Sequence, residues 1–368
     1  MGKNDECEDE MNNSKNVLKY MFGEGAIHNL NVILETKMSV DDYAIYFIDE
    51  YFENNPLIKT LPIKKHDELF FVQTVHEPKT TDINKFRDKL LEKNKHIPKA
   101  IIAIGGGCTL DTGKAVANLL TNSGCAEDYQ GWDLVKNPAV YKIGIPTISG
   151  TGAEASRTCV MTNPLNGLKL GMNSDHTIYD QLILDPNLTK TVPREQYFYS
   201  GMDSYIHCIE SLNGRYRNAI GDAFSHQAIT LCREVFLSDD MMSDDNRGKL
   251  MVASYLGGCA IANSYVGVVH PFSAGLSVAL GTHHCIGNCI TMNAMEEFYP
   301  KEFEEFNVMA QKQGVVIPSG IAHNLSEEIY QSLYNSTVIH EKPLSNALGD
   351  NYRDILTYEK VKEIFKRM

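Results

Sequence analysis

Acid and imidazole side chains recur in the second half of the chain at spacings that could hold a metal ion. Asp203 and His207 are four residues apart in "GMDSYIHCIESL", so a helix there would place both side chains on one face. His270 and the adjacent pair His283–His284 follow in the apolar stretch "VVHPFSAGLSVALGTHHC". An Asp/His pair at this spacing also occurs on helices that bind no metal. Because ionisable groups in apolar sequence need a partner or an ion, the pattern favours a metal site.

One carboxylate and three imidazoles suit a first-row divalent ion and predict Fe(II) or Zn(II), with a position left open for a substrate oxygen. Such an ion polarises a carbonyl or lowers the pKa of a bound alcohol, so that a hydride can leave the carbinol carbon for a nearby acceptor. The chemistry therefore also requires a site for a hydride acceptor.

A glycine-rich turn in the first half is a candidate for that acceptor site. Gly105, Gly106 and Gly107 lie between a strand-like and a helix-like segment in "IIAIGGGCTLDTGKAVANLL". Glycine permits close backbone approach and positive φ, and the N-terminus of the following helix offers free N–H groups to an anion. The turn is neither G-x-G-x-x-G nor a Walker loop, and a tight turn without a ligand is the alternative. Its place at the end of a parallel strand favours a bound pyrophosphate.

Two further features of the first half point to the same cofactor. The small-residue loop "GTGAE" follows the strand-like segment "GIPTIS", which suggests a cofactor bound across the rim of the sheet. Asp49 ends an earlier strand and is a candidate acceptor for a ribose hydroxyl. Its charge disfavours a 2′-phosphate, so we expect NAD(P) to be NAD. An aspartate at a strand end is also a common cap of the next turn.

The elements that must position these groups differ between the two halves. Strand-like runs such as "KAIIAIGGG" and "YKIGIPTIS" alternate with helical stretches such as "TTDINKFRDKLLEKNKH", which predicts a Rossmann-like domain with a parallel sheet. From about residue 201 the pattern is helical, with "FSHQAITLCREVFL" and "DILTYEKVKEIFKRM" as amphipathic helices. We predict a flexible tail at 1–16, an α/β dinucleotide-binding domain at 17–195 and an all-α metal-binding domain at 196–368.

Composition excludes several classes of protein. The 368 residues carry 34 basic and 47 acidic side chains, a net charge of -13 without a basic stripe, which argues against a nucleic-acid partner. Residues 251–282 contain no Asp, Glu, Lys or Arg, but Asn263, His270 and Pro271 make a buried core helix the better interpretation than a membrane span. Nine cysteines without a C-x-x-C pair, and no secretory signal, predict reduced thiols in a cytoplasm.

Together these segments resemble the iron-containing (group III) alcohol dehydrogenases. "FGEGA" is similar to an early G-x-G of that family, "GGGCTLDTGK" to its G-G-G-S-x-x-D-x-x-K cofactor loop, and "PTISGTGAEAS" to its second cofactor loop. "DSYIHCIES" matches its D-x-x-x-H. The resemblance covers most of the chain. It implies the dehydroquinate synthase-like fold and a cleft active site between the two domains, and it is compatible with a homodimer.

The resemblance also assigns residues. It places Asp111 and Lys114 at the matching positions of the cofactor loop, and Thr147, Thr151 and Gly152 closest to the cofactor in the second loop. The family's last two metal ligands are fourteen residues apart, which selects His284 over His283 as the partner of His270. The implied ligand set is Asp203, His207, His270 and His284.

A narrower resemblance is to the 3-deoxy-D-manno-octulosonate (Kdo) 8-oxidase branch, carried by "YQGWDLVKNPAVYKIGIPTISGTGAEASRT", "DQLILDP" and "THHCIGNCI". It implies oxidation of the C8 primary alcohol to an aldehyde, which a PLP-dependent aminotransferase converts to 8-amino-Kdo for lipopolysaccharide. A sugar acid needs a cationic partner for its carboxylate. Arg157 and Lys169 are the candidates, Lys169 also being placed with the cofactor residues, and Trp132 is a candidate stacking surface for the sugar.

The chain departs from the family in two places near the metal. Ala274 stands where many members carry a second histidine with a proton-relay role, so a relay through that position is excluded. Cys285 replaces the usual glycine after His284. A thiolate there could compete for the ion, and a small buried thiol is the alternative that we favour.

Three other functions fit parts of the sequence. The first is an NAD(P)-dependent dehydrogenase or reductase for another small alcohol or aldehyde, with the same fold and metal. The second is a lyase resembling dehydroquinate synthase, whose metal set is Glu/His/His rather than one Asp and three His. The third is a metal-free binding protein. The final electron acceptor, NAD or oxygen, stays open at this point.

Overall fold

The first half of the chain forms the predicted parallel sheet. This computed structural model describes residues 14–93 and 96–368. Within them the strands are β1 (Lys19–Phe22), β2 (Ala44–Asp49), β3 (Glu68–Val72), β4 (Ala100–Gly105), β5 (Gly131–Trp132), β6 (Tyr141–Pro146), β7 (Thr158–Thr162), β8 (Lys169–Asn173) and β9 (Gln181–Leu184). Six of them form one sheet in the order β1-β9-β6-β4-β2-β3, with every neighbouring pair parallel.

The second half is helical, as predicted. The helices of the described chain are α1 (Leu30–Glu35), α2 (Thr80–Lys93), α3 (Gly107–Leu119), α4 (Arg194–Leu212), α5 (Ala219–Phe236), α6 (Asp244–Ser264), α7 (Val269–Leu280), α8 (His284–Met292), α9 (Pro300–Gln313), α10 (Glu327–Val338), α11 (Glu341–Leu348), α12 (Tyr352–Ile355) and α13 (Tyr358–Lys366). Short 3-10 turns join several of the elements. The expected order, α/β followed by all-α, is confirmed.

The apolar run of β4 explains why the sheet is covered on both faces. All six of its residues are buried. Ile101 packs in the cluster that contains side chains of α2 and α3, whereas Ile102 packs in the cluster that contains Leu30 and Leu34 of α1. Successive side chains of a strand point to opposite faces, so a continuous apolar run requires cover on both sides. The carboxyl end of β4 then delivers the glycine turn to the rim of the sheet.

Two elements differ from the sequence prediction. A separate sheet in the order β5-β8-β7, with β7 and β8 antiparallel, was not predicted, because its strands are at most five residues long and are bounded by loops. The helix predicted over "DILTYEKVKEIFKRM" is also wrong as a single element. Thr357 breaks it: its side chain accepts a hydrogen bond from the backbone N–H of Lys360 and so starts a new helix, α13.

The domain limits stay proposals, and the structure refines where they would fall. Residues 1–13 of the predicted tail lie outside the described residues. Ser14 donates a hydrogen bond to the carbonyl of Ala262 (3.2 Å) and Lys15 donates to the carbonyl of Asp175 (3.2 Å). The proposed division at 195/196 falls inside the first turn of α4, which begins at Arg194. A limit between β9 and α4 would leave both elements whole.

The uncharged stretch at 251–282 belongs to α6 and α7. In the described part of the chain, no helix taken singly has the length and apolar character to cross a membrane. Only α6 and α7 together meet those criteria, and they are bent by 104° at the break between them. Phe272 and Leu276 of α7 are completely buried in the core of the helical half.

Lys142, in β6, makes stability depend on pH. Its side chain is 2% exposed, donates to the carbonyl of His176 (2.9 Å) and lies 3.6 Å from Asp180. Burial lowers the pKa of Lys142 from 10.5 to about 8, although Asp180 opposes the shift. Between these values the unfolded chain holds a proton that the folded protein has lost, so stability rises with pH.

We therefore expect the free energy of unfolding of the wild type to rise, relative to that of Lys142→Met, by up to about 3 kcal/mol as the pH increases from about 8 to 10.5. Urea unfolding of both proteins across this range measures the difference. Parallel pH profiles for the two proteins would contradict the assignment.

Candidate active site

The acid and imidazole groups singled out in the sequence meet between α4, α7 and α8. Asp203 Oδ1 lies 3.7 Å from His207 Nε2 and 3.3 Å from His270 Nε2, and Asp203 Oδ2 lies 3.5 Å from His284 Nε2. The ring of His207 stacks on that of His270, with 4.6 Å between centroids. Residues from three distant helices thus converge on one point, with Asp203 fully buried at its base.

The donor set at this point fits a divalent cation. Asp203, His270 and His284 each offer one ligand atom, and these atoms lie within 4.8 Å of one another. His207 lies beside these three, with its Nε2 facing Asp203 at 3.7 Å, and its buried Nδ1 has no hydrogen-bond partner among the described residues. Burial lowers the pKa of His207 to about 3, so this imidazole is neutral at physiological pH, which is the ligating form. The histidines hold the pKa of Asp203 well below its usual range, although burial alone would raise it.

Two residues of this cluster were missed in the sequence. Glu210 lies nearly two turns beyond Asp203 on α4, and its carboxylate accepts a hydrogen bond from His270 Nδ1. With Nδ1 held by Glu210, Nε2 is the nitrogen of His270 that faces Asp203 and could bind a cation after losing its proton. Asn288 donates to Asp203 Oδ1 at 2.6 Å, and its Nδ2 lies 3.2 Å from Nε2 of His270 and 3.4 Å from Nε2 of His284. The i, i+7 spacing in "DSYIHCIE" could have revealed Glu210, whereas Asn288 had no signal.

The charge around His270 makes cation binding depend on pH. Burial lowers the pKa of His270, but the carboxylates of Glu210 and Asp203 outweigh it and raise the pKa to about 9. A cation that binds to Nε2 must displace this proton. We therefore expect the affinity of the cluster for a divalent ion to rise with pH.

His284, and not its neighbour, faces the cluster. His283 is exposed, and its Nε2 lies 3.3 Å from the carbonyl oxygen of Thr74. We expect His284→Ala to weaken the affinity for Fe(II) or Zn(II) at least about tenfold, because a donor atom is lost, and His283→Ala to leave it unchanged. Equilibrium dialysis of both variants, which differ by a single position, measures this. Loss of metal from His283→Ala instead would contradict the arrangement.

The cluster borders a cavity of about 910 Å³ that also reaches the glycine turn. His207, His270 and His284 line it from the helical half. The predicted cofactor residues in its wall are Asp49, Gly106, Gly107, Asp111, Thr151 and Lys169. Gly105, Thr147 and Gly152 lie behind this wall; the N–H of Thr147, for example, donates to the carbonyl of Gly105 at 3.0 Å.

The glycine turn leaves the start of α3 open to an anion. The helix begins at Gly107 without a side-chain cap, which leaves its first N–H groups free to bind an anion, and Gly106 and Gly107 line the cavity. A Cβ on Gly106 would lie 3.0 Å from Ile148, and one on Gly107 would lie 3.2 Å from Thr151. The φ angles of these glycines are not positive. Lack of a side chain, rather than a left-handed backbone, is what the turn requires.

The cavity thus joins a candidate cation site, at Asp203, to a candidate anion site, at the start of α3. Comparison with known protein families agrees with this arrangement. A profile of iron-containing alcohol dehydrogenases matches residues 18–186, and a profile of the C-terminal part of the same family matches residues 197–335. The chain belongs to the iron-containing alcohol dehydrogenase family.

Relatives within the iron-containing alcohol dehydrogenases differ in what they act on. A sulfoacetaldehyde reductase of Bilophila wadsworthia is 36% identical over 188 residues, which are 50% of this chain and 48% of that protein. An NAD-dependent methanol dehydrogenase of Bacillus methanolicus is 29% identical over 228 residues, 61% of this chain and 59% of that protein. The match therefore spans only about half of the length of these curated relatives.

The structural match covers more of the chain than the sequence matches do. The crystal structure of a sulfoacetaldehyde reductase from Bifidobacterium kashiwanohense in complex with NAD+ superposes with a TM-score of 0.79, covering 96% of this chain and 97% of that chain at 20% identity. At this identity the likeness establishes the fold alone.

The glycines of the second cofactor loop lie against two helices of the second half. Gly150 has φ +148°, and a Cβ on it would lie 1.6 Å from the carbonyl oxygen of Ser200 in α4. A Cβ on Gly152, at φ +61°, would lie 2.6 Å from the backbone of Gly258 in α6. The small residues of this loop allow it to touch two helices of the second half. Thr151, between them, lines the cavity, as do Ile148 and Ala153 of the same loop.

Asp49 and Asp111 both line the cavity and both have partners in the protein. Asp49 accepts from the N–H of Tyr51 at 3.0 Å, so it caps the turn after β2 as well as facing the cavity. Asp111 accepts from the N–H of Val160 at 2.9 Å, and burial raises its pKa to about 6. Lys114 is fully buried beneath it and donates to the carbonyl of Thr158 at 2.7 Å. Lys114 therefore supports the loop rather than facing the cavity.

The residues expected to bind a substrate carboxylate line the cavity but already have acid partners. Arg157 pairs with Asp133 (2.5 Å) and Asp175 (3.2 Å) rather than with Glu154. Lys169 pairs with Glu77 at 2.8 Å, and despite burial this ammonium lowers the pKa of Glu77 to about 2. Sequence could not reveal these pairs, because Glu77 is far from Lys169 along the chain.

Ala274 and Cys285, the two positions at which the chain departs from the family pattern, both lie close to the Asp203 cluster. Ala274 lines the cavity, and Cys285 lies with its Sγ 3.9 Å from Asp203 Oδ2. Burial holds the pKa of Cys285 well above its usual range, so the group is a neutral thiol as long as no cation contacts it. The eight cysteines in the described part of the chain are all free.

Proposed function

We propose that this protein is a metal- and NAD-dependent alcohol dehydrogenase that interconverts a small alcohol and its aldehyde. The observation that carries the proposal is one cavity bordered by both the Asp203/His207/His270/His284 cluster and the glycine turn. The first fits a divalent cation and the second fits the pyrophosphate of a dinucleotide. Their meeting in one space is what hydride transfer requires.

Each group of the chain has a defined part in this reaction. Asp203, His207, His270 and His284 would hold the cation, and Glu210 keeps the proton on Nδ1 of His270 so that Nε2 stays a ligand. When bound, the cation supplies polarisation of the substrate oxygen. Gly106 and Gly107 admit the cofactor backbone to the start of α3, and Asp49 would accept from a ribose hydroxyl.

The two relatives named above differ in substrate, sulfoacetaldehyde for one and methanol for the other. A narrower proposal is oxidation of the C8 alcohol of Kdo, with a PLP-dependent aminotransferase as the next enzyme. Its support is the set of sequence segments quoted above, including "THHCIGNCI" around His284. Arg157, the predicted partner of the Kdo carboxylate, forms ion pairs with Asp133 and Asp175 instead.

The test is an assay of the purified protein, loaded with Fe(II) or with Zn(II), against Kdo, 1,3-propanediol, butanol and sulfoacetaldehyde. Absorbance of the reduced nicotinamide and consumption of oxygen are followed together, which also identifies the electron acceptor. We expect metal-dependent turnover of at least one alcohol or aldehyde with NAD. Absence of turnover with every substrate after verified metal loading would contradict the dehydrogenase, and absence with Kdo alone would contradict only the narrower proposal.

A further inference from the structure

Three aromatic rings surround the ammonium group of Lys342 in the wall of the cavity. Lys342 Nζ lies 4.2 Å from the ring centre of Tyr265, 4.6 Å from that of Trp132 and 5.9 Å from that of Tyr216. The rings also contact one another edge to face, with Tyr265 5.2 Å from Trp132 and 5.3 Å from Tyr216. All four residues line the cavity. We call this set the Lys342 cluster.

The backbone is strained where two of these rings are attached. Tyr265 ends α6 with φ +61° and ψ +166°, a region almost restricted to glycine. Asp133, directly after Trp132, has φ +56°. Such conformations are sparsely populated and tend to occur at functional sites, where the surrounding structure imposes them. Here they bring together rings from β5 and α6, two elements from different halves of the chain.

Lys342 is the one lysine or arginine in the described cavity wall without an acid partner. The other such side chains there are Arg157, Lys169 and Arg215, and each forms an ion pair. No carboxylate of the described residues lies within ion-pair distance of Lys342. Aromatic faces attract an ammonium group without neutralising its charge. The group is therefore positioned, partly shielded from solvent and still able to bind an anion.

We propose that the Lys342 cluster is the recognition site for an acidic group of the substrate, and that the substrates are small alcohols or aldehydes that carry a carboxylate or a sulfonate. This rests on the proposed dehydrogenase function, whose reacting carbon would lie toward His270 and His284 in the same cavity. An ammonium–anion hydrogen bond is charge-assisted and strengthens as the neighbouring rings exclude water. Lys342 takes the part that sequence had assigned to Arg157.

The only tryptophan of the chain, Trp132, lies in this cluster and reports binding there directly. Its fluorescence is titrated with two anionic alcohols, 2-hydroxyethanesulfonate and 3-hydroxypropanoate, and with neutral 1,3-propanediol. We expect a saturable change with the anions alone, and at least about tenfold weaker affinity in Lys342→Gln. Lys85→Gln, the same substitution on the exposed face of α2, should leave the affinity unchanged. Equal affinity for the neutral diol, or unchanged affinity in Lys342→Gln, would overturn the proposal.

Steady-state kinetics separate this proposal from the function on which it rests. With an anionic substrate, Lys342→Gln should raise KM at least about tenfold with little change in kcat, and with a neutral aldehyde it should change neither. Turnover that is equal for charged and neutral substrates would overturn the anion site and leave the dehydrogenase standing. Anion binding seen by fluorescence, without turnover of any substrate, would support the anion site and contradict the dehydrogenase. A loss of NADP affinity with unchanged substrate KM would assign Lys342 to a cofactor phosphate and so also overturn the proposal.

Discussion

Asp203→Asn should abolish metal binding and lower kcat/KM at least about a thousandfold. Asp203 supplies the only carboxylate among the proposed ligands, and Nε2 of His270 and His284 lie 3.3 and 3.5 Å from its two oxygens. Asparagine keeps the size of the side chain but replaces an anionic oxygen with an amide donor that repels a cation. Metal analysis of the purified variant, with kinetics on whichever substrate the wild type accepts, measures both effects.

The control must separate loss of the site from loss of the fold, because Asp203 is completely buried. Asp245→Asn makes the same chemical change on α6, where the carboxylate is 78% exposed and pairs with Lys249. It should retain full metal content and activity. Thermal unfolding of both variants completes the comparison. A folded Asp203→Asn protein that carries a full equivalent of metal would rule out the proposed ligand set.

Gly150→Ala should be the most destabilising small substitution in the second cofactor loop. Its Cβ would lie 1.6 Å from the carbonyl oxygen of Ser200, a backbone atom of α4 that cannot move aside. Gly23 is a matched control, because its φ of +144° is close to the +148° of Gly150 and a Cβ on it would have no neighbour within 4 Å among the described residues. Gly23→Ala therefore carries the backbone strain without the collision.

We expect Gly150→Ala to lower the free energy of unfolding by about 3 kcal/mol more than Gly23→Ala does. Urea unfolding of the two variants and the wild type gives the difference, and soluble yield gives a first indication. Equal losses for the two variants would mean that backbone strain alone explains the glycine, and that the contact with α4 can relax at little cost.

Local pattern was enough to predict the fold class and most of the metal cluster. The continuous apolar run of β4 predicts a strand covered on both faces. The four-residue spacing of Asp203 and His207 predicts that they share one face of a helix. Neither inference requires knowledge of distant parts of the chain. The choice of His284 over His283 needed the family spacing, since adjacent histidines cannot be told apart by periodicity.

What sequence could not predict depends on contacts between distant segments. Arg157 looked free to bind a substrate because Asp133 and Asp175 approach it only after β5, β7 and β8 have paired. No sequence motif marks Lys342, because the rings of Trp132 and Tyr265 that surround its ammonium group are far from it along the chain. The contact of the second loop with α4 and α6 had no signal either, because small residues in a sequence do not distinguish an approaching helix from an approaching cofactor.

The contact of this loop with α4 also limits how the two halves of the molecule can move. Ser204, which follows Asp203 directly, donates to the carbonyl of Gly150 at 2.8 Å, and Ser254 of α6 accepts from the N–H of Gly150 at the same distance. Because the backbone of Gly150 is in direct contact with α4, a hinge at this position would force the two backbones into collision. We therefore expect any widening of the cleft to pivot at another place, with little change in the distance from Thr151 to the carboxylate of Asp203.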